Sequence, residues 1–132
     1  MRKVMYAVLV CAVAAVMTGC SSHPATPRGV AEKSLECAIS RDFKGFYDCY
    51  YFPEDRQDEK KERIKMTEEI MDKNAEEASN EMPTSYKFVS EDVDEEKDRA
   101  SVTFEITIGN GRTKEQTVWL KKEKDGKWYI RD

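Results

Sequence analysis

The fold of this chain is decided by residues 100–108, Ala-Ser-Val-Thr-Phe-Glu-Ile-Thr-Ile, in which apolar and polar side chains alternate without a break. Successive side chains of a β-strand point to opposite faces, so this period of two predicts a strand with one buried face and one solvated face. Such a strand cannot bury its apolar face alone. We therefore expect an antiparallel sheet with other elements packed against the apolar side.

Turn signals on either side of this strand extend it into a sheet. Gly109-Asn110-Gly111 follows directly and favours a hairpin, because these residues accept positive φ angles at little cost. A second apolar–polar segment covers 113–122, and Asp125-Gly126 predicts another hairpin into a last strand at 128–130. Residues 86–90 predict a first strand before the central one. The four segments together predict an antiparallel meander.

Three helices are predicted ahead of the sheet. Thr26 can cap the first amides of a helix, and Pro27 suits the first helical position, so a helix is expected from here to about Ser40. A second helix is expected over 43–52 and a long, highly charged third helix over 54–80. This order predicts an α+β fold in which N-terminal helices pack on a curved four-stranded antiparallel sheet.

The first nineteen residues have the pattern of a signal peptide: Arg2 and Lys3 precede an uncharged apolar run over 4–16. As a helix this run would rise roughly 20 Å, too short for the roughly 30 Å hydrocarbon core of a membrane. Gly19 before Cys20 resembles the bacterial lipobox, in which the cysteine receives fatty acids such as palmitate and becomes the new N-terminus. We predict a lipoprotein signal peptide over 1–19, a lipidated tether over 20–25 and one folded domain over 26–132.

Two cysteines, Cys37 and Cys49, belong to the folded domain, since Cys11 leaves with the signal peptide. Their helices are joined by a tight turn and should run antiparallel, which brings the two flanks together. We expect a structural disulfide that closes a loop of about 13 residues and contributes roughly 3 kcal/mol. Two buried free thiols are one alternative. A redox pair is another, although exchange chemistry usually joins cysteines that are closer in sequence.

Charge and motifs narrow the functional classes. The formal net charge is −4, and loss of Arg2 and Lys3 with the leader makes it −6, so no nucleic-acid partner is expected. The acids over 92–98 lack the glycine and the bidentate acid of a calcium loop, and we expect no metal or cofactor. The sequence contains no catalytic serine elbow, zinc-protease helix or phosphate-binding glycine loop. Its only histidine, His23, lies in the tether, and we expect a non-enzymatic protein.

Three sequence features resemble the DUF4878-like lipoproteins, a group with NTF2-like, cystatin-like folds: Thr26-Pro27 at a helix start, Arg41-Asp42-Phe43 between helices, and the ending 125–130, Asp-Gly-Lys-Trp-Tyr-Ile. The resemblance covers about 26–131. It implies helices and a bent sheet around a cone, which in some relatives binds small molecules or catalyses proton transfer. The candidates for the lining of such a pocket are aromatic: Tyr47, Tyr50, Tyr51, Phe104 and Trp119. The alternative is that aromatic residues at this spacing belong to the core.

The resulting expectation is a membrane-anchored lipoprotein of the cell envelope that binds a small ligand or an envelope protein without catalysis. One alternative is a small enzyme with a carboxylate and a tyrosine inside the cone. The other is a cystatin-like inhibitor or assembly partner that works through a strand edge. Ser21 after the anchor resembles lipoproteins sent to an outer membrane, so a domain facing the periplasm is expected in a Gram-negative cell.

Overall fold

The computed structural model of the protein describes residues 23–131, so the predicted signal peptide and Cys20 lie outside the described part. Helices come first and strands follow, as the sequence predicts. No helix in this part of the chain has the length and apolar character needed to cross a membrane. The elements are α1 (Pro27–Ser40), α2 (Phe43–Asp48), a 3-10 turn (Glu54–Arg56), α3 (Gln57–Lys73), α4 (Ala75–Glu81), β1 (Pro83–Asp94), β2 (Arg99–Ile108), β3 (Thr113–Lys122) and β4 (Trp128–Ile130).

The start of α1 follows the local signals. The Thr26 side chain accepts a hydrogen bond from the Gly29 amide at 3.0 Å, and Pro27 occupies the first turn. The helix ends at Ser40, where Arg41 takes a left-handed conformation with a φ of 64°. That turn reverses the chain into α2, whose cap is the side chain of Asp42.

The second helix is shorter than the predicted 43–52, because α2 ends at Asp48 and the chain after it joins the sheet. Tyr50 forms an isolated parallel bridge with Ile130, and the Ile130 amide donates to the Cys49 carbonyl at 2.8 Å. The backbone thus extends the β4 edge instead of continuing the helix.

The predicted long helix over 54–80 is divided into the 3-10 turn, α3 and α4. The division between α3 and α4 lies at Asn74, which has a φ of −121° and a ψ of 39°. Its side-chain amide donates to the Ile70 carbonyl at 3.2 Å, the kind of local bond by which asparagine competes with helical hydrogen bonding. Neither α3 nor α4 contains a buried residue, so both lie at the edge of the fold.

The sheet has the order β1-β2-β3-β4, and all its pairs are antiparallel. The first strand is longer than the predicted 86–90. Register shifts interrupt its pairing between Pro83 and Ser85 and between Phe88 and Ser90, and such irregularities bend a strand and increase its twist. This curvature turns one face of the sheet towards α1, which contacts all four strands.

The apolar residues of 100–108 form the centre of the core. Val102 and Phe104 are completely buried, and α1 packs on them through Val30 and Ala31, which are also completely buried. The remaining core residues come from α1, the loop after α2 and the strands: Leu35, Cys49, Ala100, Ile106, Val118, Leu120 and Trp128. Helices on one face of a four-stranded antiparallel sheet confirm the predicted α+β class.

Candidate functional site

An apolar cleft opens between the helices and the sheet, with a volume of about 240 Å³. Its walls come from elements far apart in sequence. On one side α1 contributes Leu35 and Ala38, and on the other β2 contributes Ile106 and Ile108, the last inward residues of the predicted alternation. The other apolar lining residues come from α2, α3 and the segment entering β1: Phe43, Phe46, Met71, Met82 and Pro83.

Four polar residues complete the lining of the cleft: Thr67, Glu81, Lys114 and Gln116. Glu81, Lys114 and Gln116 are exposed, so these polar groups can meet solvent as well as a ligand. The Thr67 hydroxyl shares a hydrogen bond of 2.8 Å with the Tyr47 hydroxyl and donates to the Arg63 carbonyl at 2.9 Å. The cleft can therefore bind an apolar group and offers a few polar partners around it.

The interior holds little polar chemistry. Within residues 23–131, Ser34 is the one buried polar or charged residue, and its hydroxyl donates to the Ala31 carbonyl at 2.7 Å. No group of three or more histidine, cysteine, aspartate or glutamate side chains in this range is placed to hold a metal ion.

None of the five aromatic residues expected to line a pocket lines the cleft, although the rings of Tyr47 and Tyr50 are in contact, with 6.0 Å between centroids. Phe104 is completely buried in the core, where it contacts the rings of two β1 residues. Trp119 lies on the opposite face of the sheet and is 58% exposed. Tyr50 and Tyr51 lie beside a separate, more polar depression, and Tyr47 is bonded to Thr67.

The two cysteines of the domain are buried and are present as free thiols. The Cys49 thiol donates to the Gly45 carbonyl at 3.6 Å, and a Cβ added to Gly45 would lie 2.8 Å from the Cys37 sulfur. Both thiols are thus gathered around Gly45, while the predicted bridge stays a prediction. Burial raises the pKa of Cys49 from 9.0 to about 12, and burial, with the charge of Asp42 next in effect, raises the pKa of Cys37. Neutral thiols of this kind are poor nucleophiles.

His23 packs against the domain, although its place in the predicted tether carried no sign of this contact. Its ring lies 4.5 Å from the ring of Tyr129, and its Nε2 donates to the Trp128 carbonyl. The Tyr129 hydroxyl in turn donates to Asp125 at 2.7 Å, and Tyr51 packs edge-on against Tyr129. The first described residue is therefore attached to the last strand, which only the folded chain brings near it.

Comparison with solved structures identifies the architecture. The chain resembles the crystal structure of an NTF2-like protein of Campylobacter jejuni, described as a candidate transpeptidase, with a TM-score of 0.57. The fold is NTF2-like. The likeness covers 80% of this chain and 97% of the neighbour at 20% sequence identity, so it concerns the fold alone. No family model matches the sequence, and the comparison with curated proteins found no match.

Proposed function

We propose that this chain is a lipoprotein of the bacterial cell envelope, of the DUF4878-like kind, whose NTF2-like domain binds a small, mainly apolar molecule without transforming it. Cys20 carries the lipid, and the domain faces the periplasm where the cell has an outer membrane. The cleft between the helices and the sheet carries the binding part of this proposal. It remains open although the core beside it is filled.

The size and lining of the cleft favour a small ligand or one apolar part of a larger one. Sites for drug-sized molecules usually have volumes of about 300–1,000 Å³, and the cleft, at about 240 Å³, lies just below this range. Its apolar walls would remove a hydrocarbon or aromatic group from water. Glu81 and Lys114 offer one charge of each sign to a polar end of the ligand.

The absence of catalysis is part of the proposal. Acyl transfer of the transpeptidase kind requires an activated nucleophile beside a base. Both cysteines of the described residues are buried with raised pKa values, and His23 donates to a backbone carbonyl away from the cleft. An enzyme of the cone type would instead place an acid inside the cone, and the carboxylate in the cleft lining, Glu81, is exposed.

Binding is tested with a fluorescent apolar probe, N-phenyl-1-naphthylamine, added to a full chain made soluble by Cys20→Ser. We expect saturable binding that Met71→Glu weakens at least tenfold, because a carboxylate would enter the apolar wall. The matched control is Ile70→Glu on the same helix, since Ile70 is 51% exposed and does not line the cleft. Equal affinity of the two variants would place the probe elsewhere and remove the support for a binding cleft.

Anchoring is tested by the intact mass of the protein purified from bacterial membranes. We expect the loss of residues 1–19 and the added mass of acyl chains on Cys20. Comparison of reduced and unreduced samples also tests the predicted bridge, since a Cys37–Cys49 disulfide lowers the mass by about 2 Da, the two thiol hydrogens. A mature protein that keeps its leader, or that carries no lipid, would contradict the anchor.

A further inference from the structure

The outer face of the sheet, away from the helices, carries a group of aromatic and basic side chains at one end. The strand register places Arg99 opposite Lys121, and Lys121 opposite Tyr129. In the neighbouring row, the Arg131 amide donates to the Trp119 carbonyl at 2.8 Å. We call these five residues the basic aromatic face.

The alternation along the strands fixes the direction of this face. Ala100, Leu120 and Trp128 are buried against the helices, so their chain neighbours point to the other side of the sheet. Trp119 is 58% exposed, more than any other large hydrophobic side chain in the described residues. Tryptophan is an amphipathic ring that is enriched at membrane interfaces, where one part is apolar and the other is wet.

The start of the described chain is attached to the same face. His23 packs on Tyr129 with 4.5 Å between ring centroids and donates to the Trp128 carbonyl. Cys20 precedes His23 by three residues, which span at most about 10 Å when fully extended. Trp119 is a diagonal cross-strand neighbour of Tyr129, a separation of about 7–8 Å. A lipid on Cys20 would therefore hold Trp119 close to the membrane.

The basic aromatic face carries three cations: Arg99, Lys121 and Arg131. Arg99, Lys121 and Arg131 take no part in the ion pairs within 4 Å found among the described residues. Acids lie among these cations. Asp94 is opposite Arg99, with Asp92 two residues before it on the same face of β1. Asp125 accepts from Tyr129, and Glu123 lines the same depression as Arg131. The charges on this face are therefore mixed, and the exposed Trp119 and the attachment of His23 to Tyr129 carry the orientation.

We propose that the basic aromatic face lies on the phospholipid surface, with Trp119 in the interfacial layer and the three cations near lipid phosphates. The proposal rests on the lipid anchor at Cys20. It gives the domain a defined orientation, because the helices lie on the opposite side of the sheet. The apolar cleft between helices and sheet then opens away from the bilayer, where a ligand reaches it through the aqueous phase.

The test uses the full lipidated protein in vesicles of phosphatidylethanolamine and phosphatidylglycerol. The fluorescence of Trp119 is obtained by subtracting the Trp119→Phe variant, which retains the buried Trp128. On binding to vesicles, we expect the Trp119 emission to shift to shorter wavelength and to lose most of its quenching by aqueous iodide. Lipids that are brominated close to the headgroup should quench the Trp119 emission. A matched control, Trp119→Phe with Ile70→Trp, places an exposed tryptophan on α3, where iodide should keep its full access.

A charge variant tests the role of the cations. Arg99→Gln, Lys121→Gln and Arg131→Gln together should restore iodide access to Trp119 on these vesicles, while the lipid keeps the protein bound. On phosphatidylcholine alone, which has no net charge, we expect weaker protection of the unmodified protein.

The outcomes separate the orientation from the anchor. A protein that does not sediment with vesicles contradicts the anchor at Cys20. A protein that sediments while Trp119 stays as accessible to iodide as the tryptophan on α3 of the Ile70→Trp control contradicts the orientation alone. Protection of Trp119 that appears without vesicles and increases with protein concentration would also overturn the proposal, because the face would then bind a second copy of the chain.

Discussion

Replacement of Gly109 by alanine should separate the β2–β3 hairpin from α4. Gly109 follows β2 directly, and its amide donates to the Met82 carbonyl at 3.0 Å, while the Asn110 amide donates to the Asn80 carbonyl at 3.2 Å. A Cβ on Gly109 would lie 1.7 Å from the carbonyl oxygen of Ser79. The glycine is thus required by the close approach of two backbones.

The cost follows from this geometry. Carbon and oxygen atoms in contact are about 3.3 Å apart, so the two backbones must separate by about 1.5 Å. Both hydrogen bonds would then exceed the usual limit and break, at about 1 kcal/mol each. We expect Gly109→Ala to lower the free energy of unfolding by about 2–3 kcal/mol. Because Met82 lines the cleft, the affinity for an apolar probe should fall as well.

The assay is urea unfolding together with hydrogen exchange of the α4 amides. Gly111 in the same hairpin is the control, because its φ is 85° and no atom lies within 4 Å of an added Cβ. Gly111→Ala should cost about 1 kcal/mol, and Gly111→Asn less, since asparagine tolerates the left-handed region. Gly109→Asn should be at least as destabilising as Gly109→Ala, because asparagine also has a Cβ. If the free energy of unfolding of Gly109→Ala lies within about 0.5 kcal/mol of that of the unmodified protein, the reasoning is refuted.

Three further predictions concern stability. Phe104→Ala should destabilise by about 3–5 kcal/mol in urea unfolding, because the ring is completely buried, whereas Trp119→Ala on the exposed face should change stability by no more than about 0.5 kcal/mol. Thr26→Ala should cost about 1 kcal/mol and increase hydrogen exchange in the first turn of α1; an unchanged exchange rate would argue against the cap. Burial raises the pKa of Cys49 from 9.0 to about 12, so the reduced protein should lose stability as the pH rises from about 9 towards 12, where the unfolded thiol ionises first. Cys49→Ala should lessen that loss. Identical profiles of stability against pH for the variant and the reduced unmodified protein would contradict this prediction.

Local patterns predicted much of this fold from the sequence. The period of two in 100–108 predicted the central strand and its buried face, and Thr26 with Pro27 predicted the start of α1. Both signals act between residues a few positions apart, so the chain carries them before it folds. The strand order also followed, because short turns such as Gly109-Asn110-Gly111 leave consecutive strands little choice but to pair.

The site was not predictable in the same way. The aromatic residues expected to form one pocket are distributed over the core, the outer face of the sheet, α2 and the segment after it. The cleft is lined by other residues, which come from α1, α2, α3, β2 and the segment entering β1. Gly109 and Gly111 looked alike as turn residues, yet one is required by a neighbouring helix and the other by its φ angle. His23 looked like part of a free tether and packs on Tyr129.

The order of residues was enough to predict the class of fold and the faces of its main strand, while the lipid anchor that it predicts at Cys20 stays a prediction. Only the tertiary structure decided the position of the cleft, the exposure of Trp119 and the contact of His23 with the last strand. The physical reason is one of range. Hydrogen bonding and side-chain direction depend on near neighbours in the chain, while a cavity or a surface depends on which distant segments pack together and how closely their backbones approach.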